Sequence, residues 1–211
     1  MYPLRRVREG LPGQLHHGFV GSVNKMAFET NTPCVIALGT FDGMHPGHLA
    51  VIDCAVRAAR ERGVIARAYT FYENPRSLFE NAPLALMTPE EKAEAMRARG
   101  IDDVRMVHFT RELAQIEPRA FAETLSREYG AVAVTAGEDY TFGNHAGGNV
   151  DTLRTLGREM GFEVIVVNTV RIRTKNGASA EKVSSTAIRR AIQSNRPDIA
   201  EAMLKGETVP E

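Results

Sequence analysis

The chain contains no tryptophan and only two cysteines, and its 26 lysines and arginines are balanced by 26 aspartates and glutamates. Two cysteines are too few for a disulfide scaffold, and no group of cysteines and histidines has the spacing of a zinc site. The balanced charge excludes a global electrostatic field that would attract nucleic acid or an anionic membrane surface. Cys34 and Cys54 both lie in apolar patterns, so we expect them to be small buried side chains.

Long hydrophobic runs are also lacking. No segment approaches the ~20 apolar residues of a membrane span. The basic cluster Arg5, Arg6 and Arg8 is not followed by the apolar stretch of a signal peptide, and it is typical of a solvated arm. We therefore expect a cytoplasmic protein whose partners include neither a membrane nor nucleic acid.

The rest of the composition is that of a globular protein, since 43% of the 211 residues are hydrophobic and 25% are charged. Short apolar segments typical of strands alternate along the chain with segments in which apolar residues recur every three to four positions, as in helices. The predicted strands are 34–39, 64–71, 104–109, 131–135 and 163–170, and the predicted helices are 47–62, 88–100, 118–129, 150–160, 184–194 and 197–205. This alternation predicts an α/β fold with a parallel sheet and helices on both faces, which binds ligands beyond the carboxyl ends of its strands. Arg67 indicates that the second strand has one wetter face.

The most informative segment follows the first predicted strand and is called the histidine turn below: Gly39-Thr40-Phe41-Asp42-Gly43-Met44-His45-Pro46-Gly47-His48. Residues three apart share a helix face, so His45 and His48 can point at one ligand group. A helix N-terminus favours an anion there. A glycine turn or a single capping histidine is common in α/β proteins, but two histidines around Pro-Gly favour a phosphate site.

A second segment, called the serine segment, is Ser184-Ser185-Thr186-Ala187-Ile188-Arg189. Hydroxyl side chains at a helix start are ordinary N-caps, which is the simple structural interpretation. Arginines early in a helix oppose its dipole, and a docked phosphate chain would explain Arg189 as a forked donor. The segment on its own supports both interpretations equally.

A third segment, called the glycine loop, runs from residue 137 to 148 after a predicted buried strand. Its first part, Gly137-Glu138-Asp139-Tyr140-Thr141-Phe142-Gly143, offers aromatic faces and a carboxylate to a flat heterocycle. In the alternative interpretation, the aromatic side chains pack back into the core. The segment Thr70-Phe71-Tyr72-Glu73-Asn74-Pro75 lies at the end of the second predicted strand, contains an Asn-Pro turn signal and is a candidate wall of the same cleft.

Together these segments resemble the adenylyltransferase module of bacterial bifunctional riboflavin kinase/FAD synthetases, over residues 33–205. The resemblance implies a Rossmann-like nucleotidyltransferase fold that transfers AMP from ATP to FMN, with Mg²⁺ bridging the phosphates. It implies catalytic roles for His45, His48 and Arg189. It further implies nucleotide binding by Gly39, Thr40, Phe41, Asp42, Gly43, Gly47, Ser184, Ser185 and Thr186, and contacts on the flavin side by Asn74, Asp139 and Phe142. No protein ligand of the metal is assigned.

The sequence departs from that family in two ways: in one segment after the second predicted strand, and in the expected absence of a riboflavin kinase domain. Where the family has Thr-Phe-x-Pro-His-Pro, this chain has Glu73 for the first proline and Asn74 for the histidine, so a potential cation is lost. We divide the chain into an N-terminal segment, 1–33, a nucleotidyltransferase domain, 34–205, and a tail, 206–211, without a riboflavin kinase domain. Phosphorylation of riboflavin is therefore not expected, and a separate riboflavin kinase is a candidate partner. Two alternatives remain: a related transferase with another acceptor, such as a pyridine mononucleotide or phosphopantetheine, and a non-catalytic flavin-nucleotide-binding protein.

Overall fold

The computed structural model describes residues 28–78, 82–173 and 180–208 and is built on one parallel sheet. Its five strands are β1 (Cys34–Leu38), β2 (Ile65–Phe71), β3 (Asp103–Val107), β4 (Ala131–Gly137) and β7 (Glu163–Val167). They lie in the order β3-β2-β1-β4-β7. All four pairings are parallel, with Leu38 opposite Tyr69 and Ala37 opposite Thr135. The strand order reverses between β1 and β4, which places a ligand crevice beyond their carboxyl ends.

The helices cover both faces of this sheet, as the sequence predicts. They are α1 (Pro46–Arg62), α2 (Pro89–Ala98), α3 (Arg111–Ala114), α4 (Pro118–Glu123), α5 (Val150–Met160), α6 (Ser185–Gln193) and α7 (Pro197–Lys205). A π-helical turn, Thr124–Glu128, continues α4. Side chains alternate along β1, so Val35 and Ala37 pack with α1 and α2 whereas Ile36 and Leu38 pack with α4 and α5. The predicted α/β fold is therefore confirmed.

Helix ends follow local sequence signals. Thr88 and Glu91 form the capping box of α2, with Pro89 at the first helical position. Gly63 and Gly161 end α1 and α5 in the left-handed conformation. These signals explain why the predicted boundaries lie within a few residues of the observed ones.

Two short antiparallel hairpins were not predicted. Within the glycine loop, β5 (Thr141–Phe142) pairs with β6 (Gly148–Asn149), and before α6, β8 (Arg171–Arg173) pairs with β9 (Ala180–Lys182). Strands of two or three residues are too short to show a hydrophobic period. The predicted arm at Arg5, Arg6 and Arg8, most of segment 1–33 and the last residues of the tail lie outside the described residues, and the domain division stays a prediction.

The prediction of a wetter face at Arg67 is wrong. Its side chain is fully buried, and its Nε donates to Asp103 at 2.6 Å. Arg105 donates to the same carboxylate at 2.7 Å, and the carbonyls of Thr30 and Tyr129 accept further bonds from Arg67. We call Arg67, Asp103 and Arg105 the buried charge cluster. It lies toward the amino ends of β2 and β3, away from the ligand crevice. There the ion pairs with Asp103 compensate the buried arginines for the loss of hydration.

Both cysteines are buried, as predicted, and neither forms a disulfide. Burial raises the pKa of the Cys34 thiol to about 11, and its Sγ donates to the Tyr129 carbonyl at 3.0 Å. Over the described part of the chain, every helix is too short or too polar to cross a membrane.

Candidate active site

The histidine turn joins β1 to α1 and holds its two imidazoles side by side. His45 is the N-cap of α1, and its Nδ1 accepts a hydrogen bond from the backbone N–H of His48 at 3.4 Å. The ring centroids of His45 and His48 lie 3.7 Å apart, with 19° between the ring planes. The i, i+3 spacing thus brings both side chains to the N-terminus of a 17-residue helix, where the dipole favours an anion.

Both imidazoles lie in surroundings that disfavour their charged form. His45 is only 6% exposed, and burial lowers its pKa to about 4. Burial also lowers the pKa of His48, and the positive charges of His45, Lys92 and Arg189 act in the same direction. Among the described residues, the buried Nδ1 of His48 has no hydrogen-bond partner. Both rings are therefore neutral near pH 7, and each has one N–H to donate.

The backbone of the histidine turn is strained. Phe41 and Met44 have φ values of 50° and 43°, in the left-handed region that non-glycine residues rarely adopt. Gly43 has φ of 92°, and a Cβ there would lie 2.8 Å from Cδ1 of Leu86. The left-handed conformations of the non-glycine residues Phe41 and Met44 cost about 1–3 kcal/mol each and persist only where surrounding contacts hold them.

Asp42 supplies many of those contacts. Its Oδ1 accepts the backbone N–H groups of Leu86 and Met87 at 2.9 and 3.1 Å, and its Oδ2 accepts from Arg189. The Asp42 carbonyl accepts the Ser185 hydroxyl at 2.7 Å. Asp42 is 6% exposed and Arg189 is 8% exposed. The hydrogen bonds of Asp42 therefore hold the histidine turn in this conformation.

The serine segment meets the histidine turn through these contacts. Ser184 is the N-cap of α6, and its hydroxyl accepts the N–H of Ala187 at 3.2 Å. Arg189 donates from Nε to the carbonyl of Leu84 at 2.6 Å, in addition to its bond with Asp42. The tertiary partners of Arg189 thus account for an arginine placed early in a helix, and its predicted role toward phosphate stays a prediction.

A cavity of about 1030 Å³ opens beyond the carboxyl ends of the sheet strands. The structure brings nearly all predicted site residues to its wall: Gly39, Thr40, Phe41, His45, Gly47, His48, Asn74, Asp139, Phe142, Ser184, Ser185, Thr186 and Arg189. Asp42 and Gly43 belong to the histidine turn but do not line the cavity. The predicted groups thus converge on one space, although their individual roles stay predictions.

Part of the cavity lining is aromatic and is called the aromatic wall: Tyr69, Phe71, Phe109, Phe121, Tyr140 and Phe142. Phe142 packs against Phe121 and Tyr140, with ring centroids 5.3 and 5.9 Å away, and Phe71 packs against Phe109 at 5.3 Å. Burial raises the pKa of Tyr140, so its hydroxyl stays protonated. Sequence reasoning found the glycine-loop aromatics and placed Phe71 in the candidate cleft wall 70–75, but it missed Tyr69, Phe109 and Phe121, which also line the cavity. The available signal was their position at or after the ends of strands and in a helix facing β4.

Polar groups at the cavity edge are held by their neighbours. The Asn74 Oδ1 accepts the N–H of Arg76 at 3.0 Å, and Asp139 pairs with Lys182 Nζ at 2.5 Å. Lys182 was not predicted, because it lies on a three-residue strand. Glu73 accepts the N–H of Phe109 at 2.9 Å and lies 3.1 Å from Nδ1 of His108. In the parts of the chain that are described, no three metal-ligating side chains form a cluster.

The comparisons with known proteins agree with this geometry. The model of the FAD synthetase family matches residues 27–187. The bifunctional riboflavin kinase/FMN adenylyltransferase of Listeria monocytogenes is 35% identical over 175 residues, covering 81% of this chain and 53% of that protein. The Escherichia coli K12 protein of the same name is 30% identical over 174 residues, covering 81% of this chain and 54% of that protein. The chain therefore spans about half the length of these relatives.

A solved structure from Streptococcus pneumoniae, described as a macrolide-efflux protein, is also similar. It has a TM-score of 0.71 and 29% identity, covering 83% of this chain and 56% of that one. The family match covers the histidine turn, the glycine loop and the start of the serine segment. The chain belongs to the FAD synthetase family.

Proposed function

We propose that the chain is an FMN adenylyltransferase, which transfers AMP from ATP to FMN and releases pyrophosphate. The observation that carries this proposal is the arrangement of one cavity. A neutral histidine pair at a helix N-terminus and the aromatic wall both line it. A polyanionic chain and a flat heterocycle are the two ligand features that these surfaces fit.

In the proposed reaction, an oxygen of the FMN phosphate attacks the α-phosphorus of ATP. A new P–O bond forms as the bond from the α-phosphorus to the β-bridging oxygen breaks, and the electron pair leaves with pyrophosphate. Such a step needs positioning and charge stabilisation rather than a protein nucleophile. This requirement agrees with a site whose two histidines are placed at a helix N-terminus, where N–H donors meet a phosphate.

His45 and His48 are proposed to donate to the phosphates, with His48 nearest the transferring group. Gly39, Thr40, Phe41 and Gly47 would form the surface beneath ATP, and Ser184, Ser185 and Thr186 would contact the β- and γ-phosphates from the other side. Asp42 and Gly43 would act by shaping the turn. Arg189 would act chiefly through Asp42, because its guanidinium already binds that carboxylate and the Leu84 carbonyl.

Asn74, Asp139 and Phe142 are proposed to contact FMN. Mg²⁺ would enter with the nucleotide, because this ion is commonly bound by substrate phosphates and few protein ligands. The names of the relatives pair this activity with riboflavin kinase. We therefore also propose that a riboflavin kinase supplies FMN to this chain.

The test is to incubate the purified chain with FMN, ATP and Mg²⁺, with riboflavin replacing FMN in a parallel reaction, and to separate the flavins by chromatography. FAD formed from FMN, with riboflavin unchanged, is the expected result. Saturable ATP binding without FAD would refute the assignment of FMN as acceptor and favour another acceptor or a binding protein.

A further inference from the structure

Lys92 is a buried cation that the proposed reaction does not use directly. It lies in the second turn of α2 and is 5% exposed. Its Nζ donates to the carbonyl of Phe71, the last residue of β2, at 2.6 Å, and to the carbonyl of Thr40, two residues beyond β1, at 3.2 Å. One ammonium group thus joins two neighbouring strand ends beneath the cavity, which Lys92 itself does not line.

This ammonium group is held by carbonyls and has no directly bound carboxylate among the described residues. The charges of Asp42 and Glu73 act on Lys92 from farther away, and both carboxylates bind other groups. Burial of a cation without a direct counterion is costly. A buried position with this cost is unusual for a lysine that serves packing alone, because methionine would fill similar space without it.

The Thr40 carbonyl is the point at which Lys92 acts on the histidine turn. It also accepts the hydroxyl of Thr70 at 3.0 Å, so two buried donors fix one peptide. The next residue, Phe41, has the left-handed φ of 50° described above, and its ring contacts that of His48 at 5.5 Å between centroids. A change at the Thr40 peptide would therefore be transmitted through Phe41 to the histidine pair.

We propose that Lys92 is a positioning residue for adenylyl transfer, which joins the ends of β1 and β2 and so holds the histidine turn against the nucleotide phosphates. This inference rests on the proposed function, since its main readout is FAD formation. It differs from a packing role because the positive charge of Lys92 also reaches His48. That charge contributes to the lowered pKa of the His48 imidazole, after burial and the charge of His45.

The first test is the steady-state kinetics of Lys92→Met, with kcat and the KM for each substrate measured separately. We expect kcat to fall about 10- to 100-fold, the loss that a displacement of about 1 Å at reacting groups causes. The KM for FMN should stay within about threefold of wild type, because Lys92 makes no hydrogen bond to the glycine loop, which holds Phe142. Lys92→Arg keeps the charge and should recover most of the lost kcat.

Lys205→Met is the matched control. It makes the same chemical change at an exposed lysine of α7 that pairs with Glu201, and it should have the kinetics of wild type. A kcat of Lys92→Met within about threefold of wild type would overturn the proposal. A KM for FMN that rises as much as kcat falls would also overturn it, because the whole cleft would then be disturbed. If Lys92→Met does not fold, Lys92→Gln takes its place with the same two outcomes.

The second test is an NMR titration of His48 in the free chain, which does not depend on the acceptor. The pKa of His48 should rise in Lys92→Met and should stay at the wild-type value in Thr70→Val, which removes the other bond to Thr40 without a change of charge. An unchanged pKa in Lys92→Met would overturn the inference. If wild type makes no FAD, the proposed function fails while this titration still decides the role of Lys92.

Discussion

Asp42 and Arg189 are 147 positions apart in the sequence and form a buried ion pair beneath the histidine turn. The pair joins the loop after β1 to helix α6, and it also reaches the segment before α2 through Leu84, Leu86 and Met87. Three distant parts of the chain therefore meet at one carboxylate. The conformation of the histidine turn therefore depends on these tertiary contacts as well as on its own glycines.

Loss of Arg189 should destabilise the fold. In Arg189→Met the Asp42 carboxylate stays buried without its cation, which costs about 3–5 kcal/mol of the free energy of unfolding in comparable pairs. Urea unfolding followed by circular dichroism measures this loss. Arg60→Met breaks the exposed pair with Asp102 and should cost at most about 1 kcal/mol. An Arg189→Met variant as stable as this control, with only the KM for ATP raised, would show that Arg189 acts on phosphate directly.

Removal of the second histidine should abolish most turnover. We expect His48→Ala to lower kcat about 100-fold or more, because an N–H donor to the transferring phosphoryl group is lost. The assay is FAD formation from FMN and ATP. His108→Ala removes a stacked histidine outside the cavity wall and is the matched control. Turnover near the wild-type rate in His48→Ala would contradict the proposed role.

The buried histidines should make stability depend on pH in the mildly acidic range. The pKa of His45 is about 4 in the folded chain and 6.5 at its ordinary value, so the unfolded chain binds more protons between these two pH values. The free energy of unfolding should therefore fall as the pH drops from 6.5 towards 4, with a contribution from His45 of about 3 kcal/mol at most.

His45→Asn tests this pH dependence, since asparagine is a good N-cap and does not titrate. Urea unfolding at several pH values should give a shallower decrease for this variant than for wild type. An identical decrease in both proteins would mean that His45 does not contribute.

The sequence was sufficient to predict those elements of the fold in which the hydrophobic pattern extends over many residues. The long helices and the five sheet strands were predicted for this reason, and Gly63, Thr88 and Gly161 marked their ends. A charged residue in a strand was misinterpreted at Arg67, because its partner Asp103 lies on a neighbouring strand 36 positions away. Such pairing is a tertiary property that local patterning does not contain.

The candidate site divides in the same way. The histidine turn and the serine segment are contiguous motifs, so sequence reasoning found their residues. Lys92 and Lys182 come from other elements and belong to the site only through the sheet topology and a short hairpin. The pairing of Arg189 with Asp42 was missed for the same reason.

The aromatic wall should be sensitive to a single methyl group at Gly148. A Cβ at this position would lie 2.7 Å from Cζ of Phe142, so Gly148→Ala must displace the ring. We expect the KM for FMN to rise about tenfold while the KM for ATP stays near its wild-type value. Gly161→Ala, where a Cβ meets open space, is the control and should lose only stability. Equal changes in both KM values would argue against Phe142 as a flavin contact.

The buried charge cluster should matter for stability and little for catalysis. Asp103→Asn removes the carboxylate that the buried Arg67 and Arg105 share and should cost about 3–5 kcal/mol of the free energy of unfolding. Its neighbour Asp102 pairs with the exposed Arg60, so Asp102→Asn should cost far less. Thermal and urea unfolding compare the two variants. The KM values of Asp103→Asn should match wild type below its melting temperature, and a selective rise in either would contradict this separation.

The buried charge cluster and the cavity lie in different parts of the sheet, which has a consequence for sequence change between relatives. The buried charge cluster lies toward the amino ends of β2 and β3, away from the cavity, and it joins these two strands without using side chains that line the cavity. Substitutions of Glu73 and Asn74, which bind other groups, leave the contacts of this cluster in place. The charge cluster holds the sheet toward its amino ends and the Asp42–Arg189 pair holds the histidine turn, so a change of acceptor is best tolerated at positions outside both contacts.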